Sequence, residues 1–184
     1  MIRLAIVGTG GMANAHARNF QAIPGCRLTA CCDIVPERAL AFAEKYQIPA
    51  AYHELDEMLA SEKLDAVSVV TPDRAHCEPV LKCVARGLHT MCEKPLSDNL
   101  ADAKRMAAAA KRKGVITAVN FSYRNSPATQ KAAALVASGK IGRVIHVEGN
   151  YRQSWLSAPT LGGDYRKMES RLWRLSTRHV SMGC

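Results

Sequence analysis

A glycine-rich turn that directly follows an apolar run constrains this chain more than any other feature. The apolar run occupies residues 4–7, and a segment with helical periodicity follows the turn. The turn itself reads Gly8, Thr9, Gly10, Gly11, Met12, Ala13. Such a motif combines a tight turn, close approach of backbone to a pyrophosphate and close packing of helix on strand. It therefore predicts a dinucleotide-binding turn, with a tight turn that binds no ligand as the alternative.

An acidic residue stands where this type of site needs one. Asp33 lies 20 residues beyond Ala13, at the end of the second apolar run. A carboxylate there can accept hydrogen bonds from both ribose hydroxyls of an adenosine, and its charge would repel the 2′-phosphate of NADP. We therefore expect NAD to be preferred, with NADP possible. Arg38 either partly offsets this charge or lies along the adenine face.

Apolar runs alternate with helical segments through the first 120 residues. This alternation is typical of βαβ units and predicts an α/β fold, a Rossmann doubly wound parallel sheet. Pro36 is suited to a first helical turn, and Gly87 and Gly114 to helix C-termini. The strands are predicted at residues 3–7, 28–32, 66–70, 90–92 and 115–119, and the helices at residues 11–22, 36–46, 55–61, 75–86 and 99–113.

The pattern changes after Asn120. A helix is predicted over residues 126–138 and a long strand over residues 143–155, in a sheet that the remaining residues are too few to build. We therefore expect an NAD(P)-binding Rossmann domain over residues 1–120, and over residues 121–184 the truncated, incomplete start of an α+β substrate and oligomerisation domain.

Composition excludes several classes of protein. The 184 residues are 48% hydrophobic and 22% charged, as in a globular protein, and no apolar window is long enough for a membrane span. Seven cysteines form no C-x-x-C pair, which predicts reduced thiols, no metal site and a cytoplasmic location. The N-terminal apolar run is too short for a signal peptide.

The net charge of +9 is concentrated after residue 120, where 10 Lys or Arg stand against 3 Asp or Glu. Such a segment either faces an acidic surface or an anionic ligand, or binds nucleic acid. No recognition-helix pattern accompanies the charge, so we expect no nucleic-acid partner and no membrane partner.

Polar clusters follow the third and fourth predicted strands. Ligands of open α/β sheets bind beyond the carboxyl ends of the strands, where both clusters fall. The first cluster contains Thr71, Pro72, Asp73 and His76, although Pro72 with Asp73 is also a common helix start. In the second, Glu93-Lys94-Pro95, Lys94 would stand beside the nicotinamide and assist proton transfer, unless it is an ordinary surface lysine.

Together these residues resemble the Gfo/Idh/MocA family of glucose-fructose oxidoreductases and inositol dehydrogenases. The resemblance is carried by residues 5–12, Asp33, and residues 71–76, 93–96 and 119–124. It implies an NAD(P)-dependent dehydrogenase that transfers a hydride between a nicotinamide cofactor and a secondary alcohol of a sugar or polyol. It also implies a homo-oligomer in a full-length form. The alternative is a catalytically incomplete dinucleotide-binding fragment or sensor.

The same resemblance assigns roles to single residues. Lys94 resembles the active-site lysine of the family, with a cis bond to Pro95. Arg124 and Trp155 are expected near the substrate cleft, with packing the alternative for Trp155. No residue is matched to the Asp and His of the family's second domain, and His179 does not lie in the expected motif. Residues similar to those around the nicotinamide ribose are Thr71, Asp73 (commonly Asn in the family), His76, Glu93 and Asn120.

Overall fold

The computed structural model describes residues 1–150, and this part of the chain divides after Phe121 into two units. The first unit contains a six-stranded parallel sheet with the order β3-β2-β1-β4-β5-β6. This order is that of a dinucleotide-binding sheet. β2 and β3 lie on one side of β1, and β4, β5 and β6 lie on the other, so the strand order reverses between β1 and β4. The strands are β1 (Ile2–Val7), β2 (Cys26–Cys32), β3 (Ala50–Tyr52), β4 (Ala66–Val69), β5 (His89–Cys92) and β6 (Thr117–Val119).

Helices cover both faces of the sheet. They are α1 (Ala13–Gln21), α2 (Pro36–Tyr46), α3 (Leu55–Ser61), α4 (Cys77–Ala85) and α5 (Leu100–Lys113). Side chains of α1 and α2 pack on one face with Leu4 and Ile6, while α3, α4 and α5 pack on the other with Ala5 and Val7. Alternate residues of β1 thus enter opposite cores, as expected for a strand buried on both faces. The predicted Rossmann fold is confirmed.

The helix ends follow the local sequence. Pro36 occupies the first turn of α2, where its missing N–H is no loss. The Asn99 side chain accepts a hydrogen bond from the Asp102 amide at the start of α5, and Gly114 ends α5 with φ 72°. Gly87, with φ 78°, follows α4 in the same left-handed conformation.

Two differences from the sequence analysis concern strands. The three residues of β3, which pair with Ala30–Cys32, are too few to show a periodicity and were not predicted. The predicted strand over residues 143–155 is wrong at residues 143–150, which adopt no regular structure. A strand requires a ladder partner, and no described strand pairs with this segment. Residues 151–155 lie outside the described residues.

The second unit begins at Ser122. A short 3₁₀ helix (Ser122–Asn125) precedes α6 (Pro127–Ala137), which lies within the predicted helix. The Ser126 side chain accepts from the Thr129 amide and caps the N-terminus of α6.

Candidate functional site

The carboxyl ends of the parallel strands bring five of the predicted site segments to one edge of the sheet. Gly8 follows β1, Asp33 follows β2, and the loop beginning at Thr71 lies just after β4. Glu93 follows β5 and Asn120 follows β6. Ligands of open α/β sheets bind at this edge, near the point where the strand order reverses.

The turn after β1 requires glycine at its first position. Gly8 has φ 89°, and a Cβ there would lie 2.8 Å from the Thr71 nitrogen and 2.9 Å from the Val70 oxygen. The Gly8 N–H donates to the Cys32 carbonyl at 2.8 Å. Gly8 therefore lets the end of β1 pass against the end of β4 while remaining bonded to β2.

The steric requirement that explains Gly8 does not explain Gly10 and Gly11. A Cβ on Gly10 or Gly11 would meet no atom of the protein within 4 Å, so internal packing does not require glycine at either position. The Asn14 side chain donates to both of their carbonyls, at 3.3 and 3.2 Å, and Met12 is half exposed just before α1. Ala13 is fully buried, so α1 begins close against the sheet. The turn and the helix N-terminus thus leave room for an anionic group beside backbone N–H groups.

Asp33 is bonded to this turn. Its Oδ2 accepts from the Thr9 N–H at 2.8 Å and from the Thr9 hydroxyl at 2.9 Å. Its Oδ1 accepts from the Val35 N–H at 3.0 Å. A carboxylate has about four acceptor positions, so these bonds leave room for about one more donor. Arg38 lies in α2 with an exposed side chain, one turn beyond Val35.

The loop after β4 contains a buried carboxylate oxygen that lacks a donor within the described chain. Asp73 is 2% exposed, and its Oδ1 accepts from the Arg74 N–H at 3.0 Å. Its Oδ2 has no hydrogen-bond partner among residues 1–150. Buried polar atoms are nearly always paired, so this oxygen is suited to accept a bond from a ligand hydroxyl or a water. The Thr71 hydroxyl donates within the loop, to the Ala75 carbonyl at 3.1 Å.

His76 joins two loops at this edge. Its ring is 1% exposed, with Nδ1 2.9 Å from the Pro95 carbonyl and Nε2 2.8 Å from the Thr71 carbonyl. Both ring nitrogens therefore contact protein oxygens, and His76 connects the loop after β4 to the loop that carries Lys94. The Lys94–Pro95 bond is cis, as expected. Lys94 is exposed.

A second polar cluster consists of the buried His16, Ser68 and Glu93 and the half-buried Asn120; we call these four residues the His16 cluster. Glu93 Oε1 lies 2.8 Å from His16 Nε2 and 2.6 Å from Asn120 Nδ2, and the Lys94 N–H donates to Oε2 at 3.1 Å. The Ser68 hydroxyl lies 2.8 Å from His16 Nδ1. Burial by itself would raise the pKa of Glu93, but hydrogen bonds from His16, Asn120 and the Lys94 amide outweigh it, and the pKa is lowered.

Two members of this cluster were predicted from the sequence, and two were not. Glu93 and Asn120 were predicted as residues around a nicotinamide ribose, a role that stays a prediction. His16 and Ser68 were missed. A signal existed, because His16 falls on the stripe that α1 buries with Ala13, Ala17 and Phe20, and a polar residue in such a stripe needs a partner.

The remaining predictions concern three residues after Asn120, metal and membrane binding, and the cysteines. Arg124 is exposed in the second unit, and Trp155 and His179 lie outside the described residues. Within residues 1–150, no group of three or more His, Cys, Asp or Glu is arranged to hold a metal, and no helix is long and apolar enough to cross a membrane. The six cysteines of the described part are free thiols. Burial raises the pKa of Cys31 and of Cys83 to about 12.

The residues at the sheet edge fit a dinucleotide in three respects. The turn leaves room at Gly10 and Gly11 next to the N-terminus of α1, as a pyrophosphate requires. Asp33 stands at the end of β2, where a ribose acceptor is expected. The Asp73 Oδ2 atom offers a further acceptor in the loop after β4, and β4 lies on the opposite side of β1 from β2 and Asp33.

Comparison with known proteins agrees with this geometry. The profile of the Gfo/Idh/MocA family, described as an oxidoreductase family with an NAD-binding Rossmann fold, matches residues 2–121. The chain is 33% identical to myo-inositol 2-dehydrogenase of Thermotoga maritima over 142 residues, which cover 77% of this chain and 42% of that enzyme. It is 36% identical to an NADP(+)-dependent scyllo-inositol 2-dehydrogenase of Bacillus subtilis over 116 residues, or 63% of this chain and 35% of the relative.

A solved structure gives the same result. The WlbA dehydrogenase from Bordetella pertussis in complex with NADH and UDP-GlcNAcA superposes with a TM-score of 0.73 at 27% identity, covering 77% of this chain and 43% of that one. The chain thus spans less than half the length of the relatives it matches. The family profile covers well over half of the present sequence, and the sheet has the strand order expected of it. The chain belongs to the Gfo/Idh/MocA family of oxidoreductases with an NAD-binding Rossmann fold.

Proposed function

We propose that this chain binds a nicotinamide dinucleotide along the carboxyl edge of its sheet. We further propose that it serves a dehydrogenase acting on a secondary alcohol of a sugar or polyol. The observation that carries the proposal is the open turn at Gly10 and Gly11, tied to Asp33 by two hydrogen bonds from Thr9. The Thr9 contacts hold the pyrophosphate turn and the ribose acceptor at one position relative to each other.

Each residue at the edge has a distinct role in the proposal. The backbone from Gly8 to Met12 holds the phosphates, and Asp33 accepts from the adenosine ribose. Thr71, Pro72, Asp73, His76, Glu93 and Asn120 form the nicotinamide side, where the Asp73 Oδ2 atom is the acceptor without a described donor. The cofactor, when bound, supplies the hydride acceptor. Lys94 orients the substrate hydroxyl and assists in moving its proton.

NAD is the preferred cofactor in this proposal. The Asp33 carboxylate is anchored by donors on both oxygens, so it cannot easily turn away from a 2′-phosphate. Arg38 is exposed on α2 and is the nearest basic candidate in sequence to offset that charge. One relative of this chain uses NADP(+), so the preference needs a direct test.

The domain organisation belongs to the same proposal. Residues 1–120 are the dinucleotide-binding domain, and residues 121–184 begin a substrate domain that also forms the contacts of a homo-oligomer. Arg124 and Trp155 are the residues of that segment that we place near the substrate.

Calorimetric titration with NAD and NADP tests the proposal. Asp33→Ala should weaken NAD binding about 10- to 100-fold, the range expected for lost hydrogen bonds to a charged group. Asp33→Asn keeps the shape and removes the charge, so it should bind NADP better than the native chain does. Asp65→Asn, at the opposite edge of the sheet, is the matched control and should bind both like the native chain. Unchanged titrations of both Asp33 variants would remove Asp33 from the site.

Turnover is measured separately, as NAD reduction with a panel of cyclic polyols and sugars. Reduction that is lost in Lys94→Ala, at unchanged NAD affinity, supports the proposed role of Lys94. NAD binding without reduction on any member of the panel would instead favour the dinucleotide-binding fragment or sensor.

A further inference from the structure

We propose that His16 is a positioning residue that fixes the Glu93 carboxylate and, through it, the main chain at Lys94. The inference rests on the proposed function, because Lys94 matters only if the chain serves the dehydrogenase reaction. His16 acts through Glu93, and no contact of its ring with substrate or cofactor is proposed.

The contacts form a continuous path from the glycine turn to Lys94. His16 lies in α1, one helical turn after Ala13, where the helix begins. The position of His16 therefore depends on that of the glycine turn that precedes the helix. Its Nε2 lies 2.8 Å from Glu93 Oε1, and the other oxygen of the same carboxylate accepts the Lys94 N–H at 3.1 Å. One planar group therefore joins the first helix to the backbone of the candidate catalytic residue.

The hydrogen-bond partners of Glu93 and His16 indicate which of their atoms carry a proton. Glu93 is ionised in the folded chain at neutral pH, because its pKa is lowered, so the His16 Nε2 atom carries the hydrogen that faces Oε1. The Asn120 amide donates to the same oxygen at 2.6 Å. The Ser68 hydroxyl, 2.8 Å from Nδ1, holds the opposite side of the ring. Every polar atom of the carboxylate and the ring thus has a partner.

Burial makes the loss of any of these hydrogen bonds costly. Glu93 is 7% exposed and His16 is 5% exposed, so water cannot replace a missing donor at little cost. The donors to Glu93 include the His16 ring, the neutral Asn120 amide and the Lys94 backbone N–H. Loss of the imidazole would remove one of these donors from a desolvated carboxylate. Its proton affinity would then rise, and a protonated Glu93 would hold the Lys94 amide less firmly.

The Lys94 amide is a direct reporter for this arrangement in the full chain. In ¹⁵N-labelled protein its resonance should respond to protonation of Glu93 as the pH falls. Four samples are compared: the native chain, His16→Gln, His16→Leu and Ser68→Ala. Glutamine keeps an N–H donor at roughly the reach of Nε2, and leucine removes it. Ser68→Ala removes the other ring contact and is the matched control for a loss of buried hydrogen bonding.

Positioning by His16 predicts a specific pattern. In His16→Leu the titration midpoint of the Lys94 amide moves to higher pH, and hydrogen exchange of that amide accelerates about tenfold or more. His16→Gln, which keeps a donor but not the ionisable ring, raises the midpoint less than His16→Leu does. Ser68→Ala stays close to the native midpoint, and Glu93→Gln abolishes the titration. A purely structural role for His16 predicts that His16→Leu and Ser68→Ala both lower the melting temperature and leave the Lys94 midpoint in place, which would overturn the proposal.

If His16→Leu is unfolded, His16→Asn, whose shorter amide reaches about the position of Nδ1, replaces it; a native midpoint in that variant also overturns the proposal. NAD is absent from these titrations. A separate calorimetric titration of the native chain with NAD therefore tests the proposed function, and its failure is distinguishable from failure of the His16 assignment.

Discussion

At the scale of the residue, the glycines of the first turn have two different functions. Gly8 is required by its left-handed backbone and by the backbone of Val70 and Thr71, just after β4, which lies within 3 Å of where a Cβ would stand. Gly10 and Gly11 are not required by any protein contact. The motif in the sequence does not distinguish these cases, because both appear there as glycine.

The two cases predict opposite phenotypes. Gly8→Ala should lower the free energy of unfolding by at least about 1–3 kcal/mol, since an alanine at φ 89° is strained and also clashes. Gly10→Ala should leave stability within about 0.5 kcal/mol of the native value. It should nonetheless weaken NAD binding by about tenfold or more, since a methyl group would stand where a phosphate approaches. Urea unfolding and calorimetry measure the two effects; equal stability losses in both variants would refute the distinction.

At the scale of the element, one ion pair ties β1 to the start of β4 at the edge opposite the site. Asp65 accepts from the Arg3 backbone N–H at 2.8 Å and from the Arg3 guanidinium at 2.8 and 3.0 Å. The Asp65 N–H donates in return to the Arg3 carbonyl at 2.9 Å. The hydrogen bonds from the Arg3 side chain and amide hold the pKa of Asp65 well below its usual range.

This lowered pKa predicts a pH-dependent contribution to stability. A carboxylate with a depressed folded-state pKa stabilises the fold above its ordinary value of 3.8, and the contribution is lost as the pH falls through and below that value. Asp65→Asn should therefore lower the urea midpoint at pH 6, and the gap from the native chain should narrow below about pH 4. Glu44→Gln, on the exposed side of α2, is the control. A gap that is constant with pH would contradict this assignment.

Elements also show the limit of prediction from local patterns. β1 and β4 were predictable because strands buried on both faces are nearly continuous in apolar residues. β3 was not predictable, since an outermost strand of three residues has no measurable period. Residues 143–150 show the opposite error: the alternation resembles a strand, but no described strand supplies hydrogen-bond partners.

At the scale of the whole molecule, the sheet and both apolar clusters lie within the first unit. The cluster on each face draws its members from between Leu4 and Val115. The proposed site residues up to Asn120 also lie in this unit. The first unit therefore contains both apolar clusters and, by our proposal, the residues that bind the dinucleotide.

We predict that a chain ending after Phe121 folds by itself. Its urea unfolding should be a single cooperative transition, with a stability within about 1 kcal/mol of the same transition in the full chain, because no member of either apolar cluster is removed. Circular dichroism during urea titration measures both. The matched comparison ends after Gly114 and removes β6, which pairs with β5; it should be much less stable. A gradual transition in the longer chain would argue against an independent first domain.

The sequence alone determined the features that depend on local chemistry and spacing: the glycine turn, the acidic residue after the second strand, and the alternation that specifies a parallel sheet. Tertiary structure alone decided which atoms meet in the loops at the carboxyl ends of the strands. The Thr9 bonds to Asp33 and the joining of two loops by His76 arise only when strands distant in sequence lie side by side. His16 and Glu93 are 77 residues apart, and their contact depends on how α1 packs on the sheet, which no local periodicity encodes.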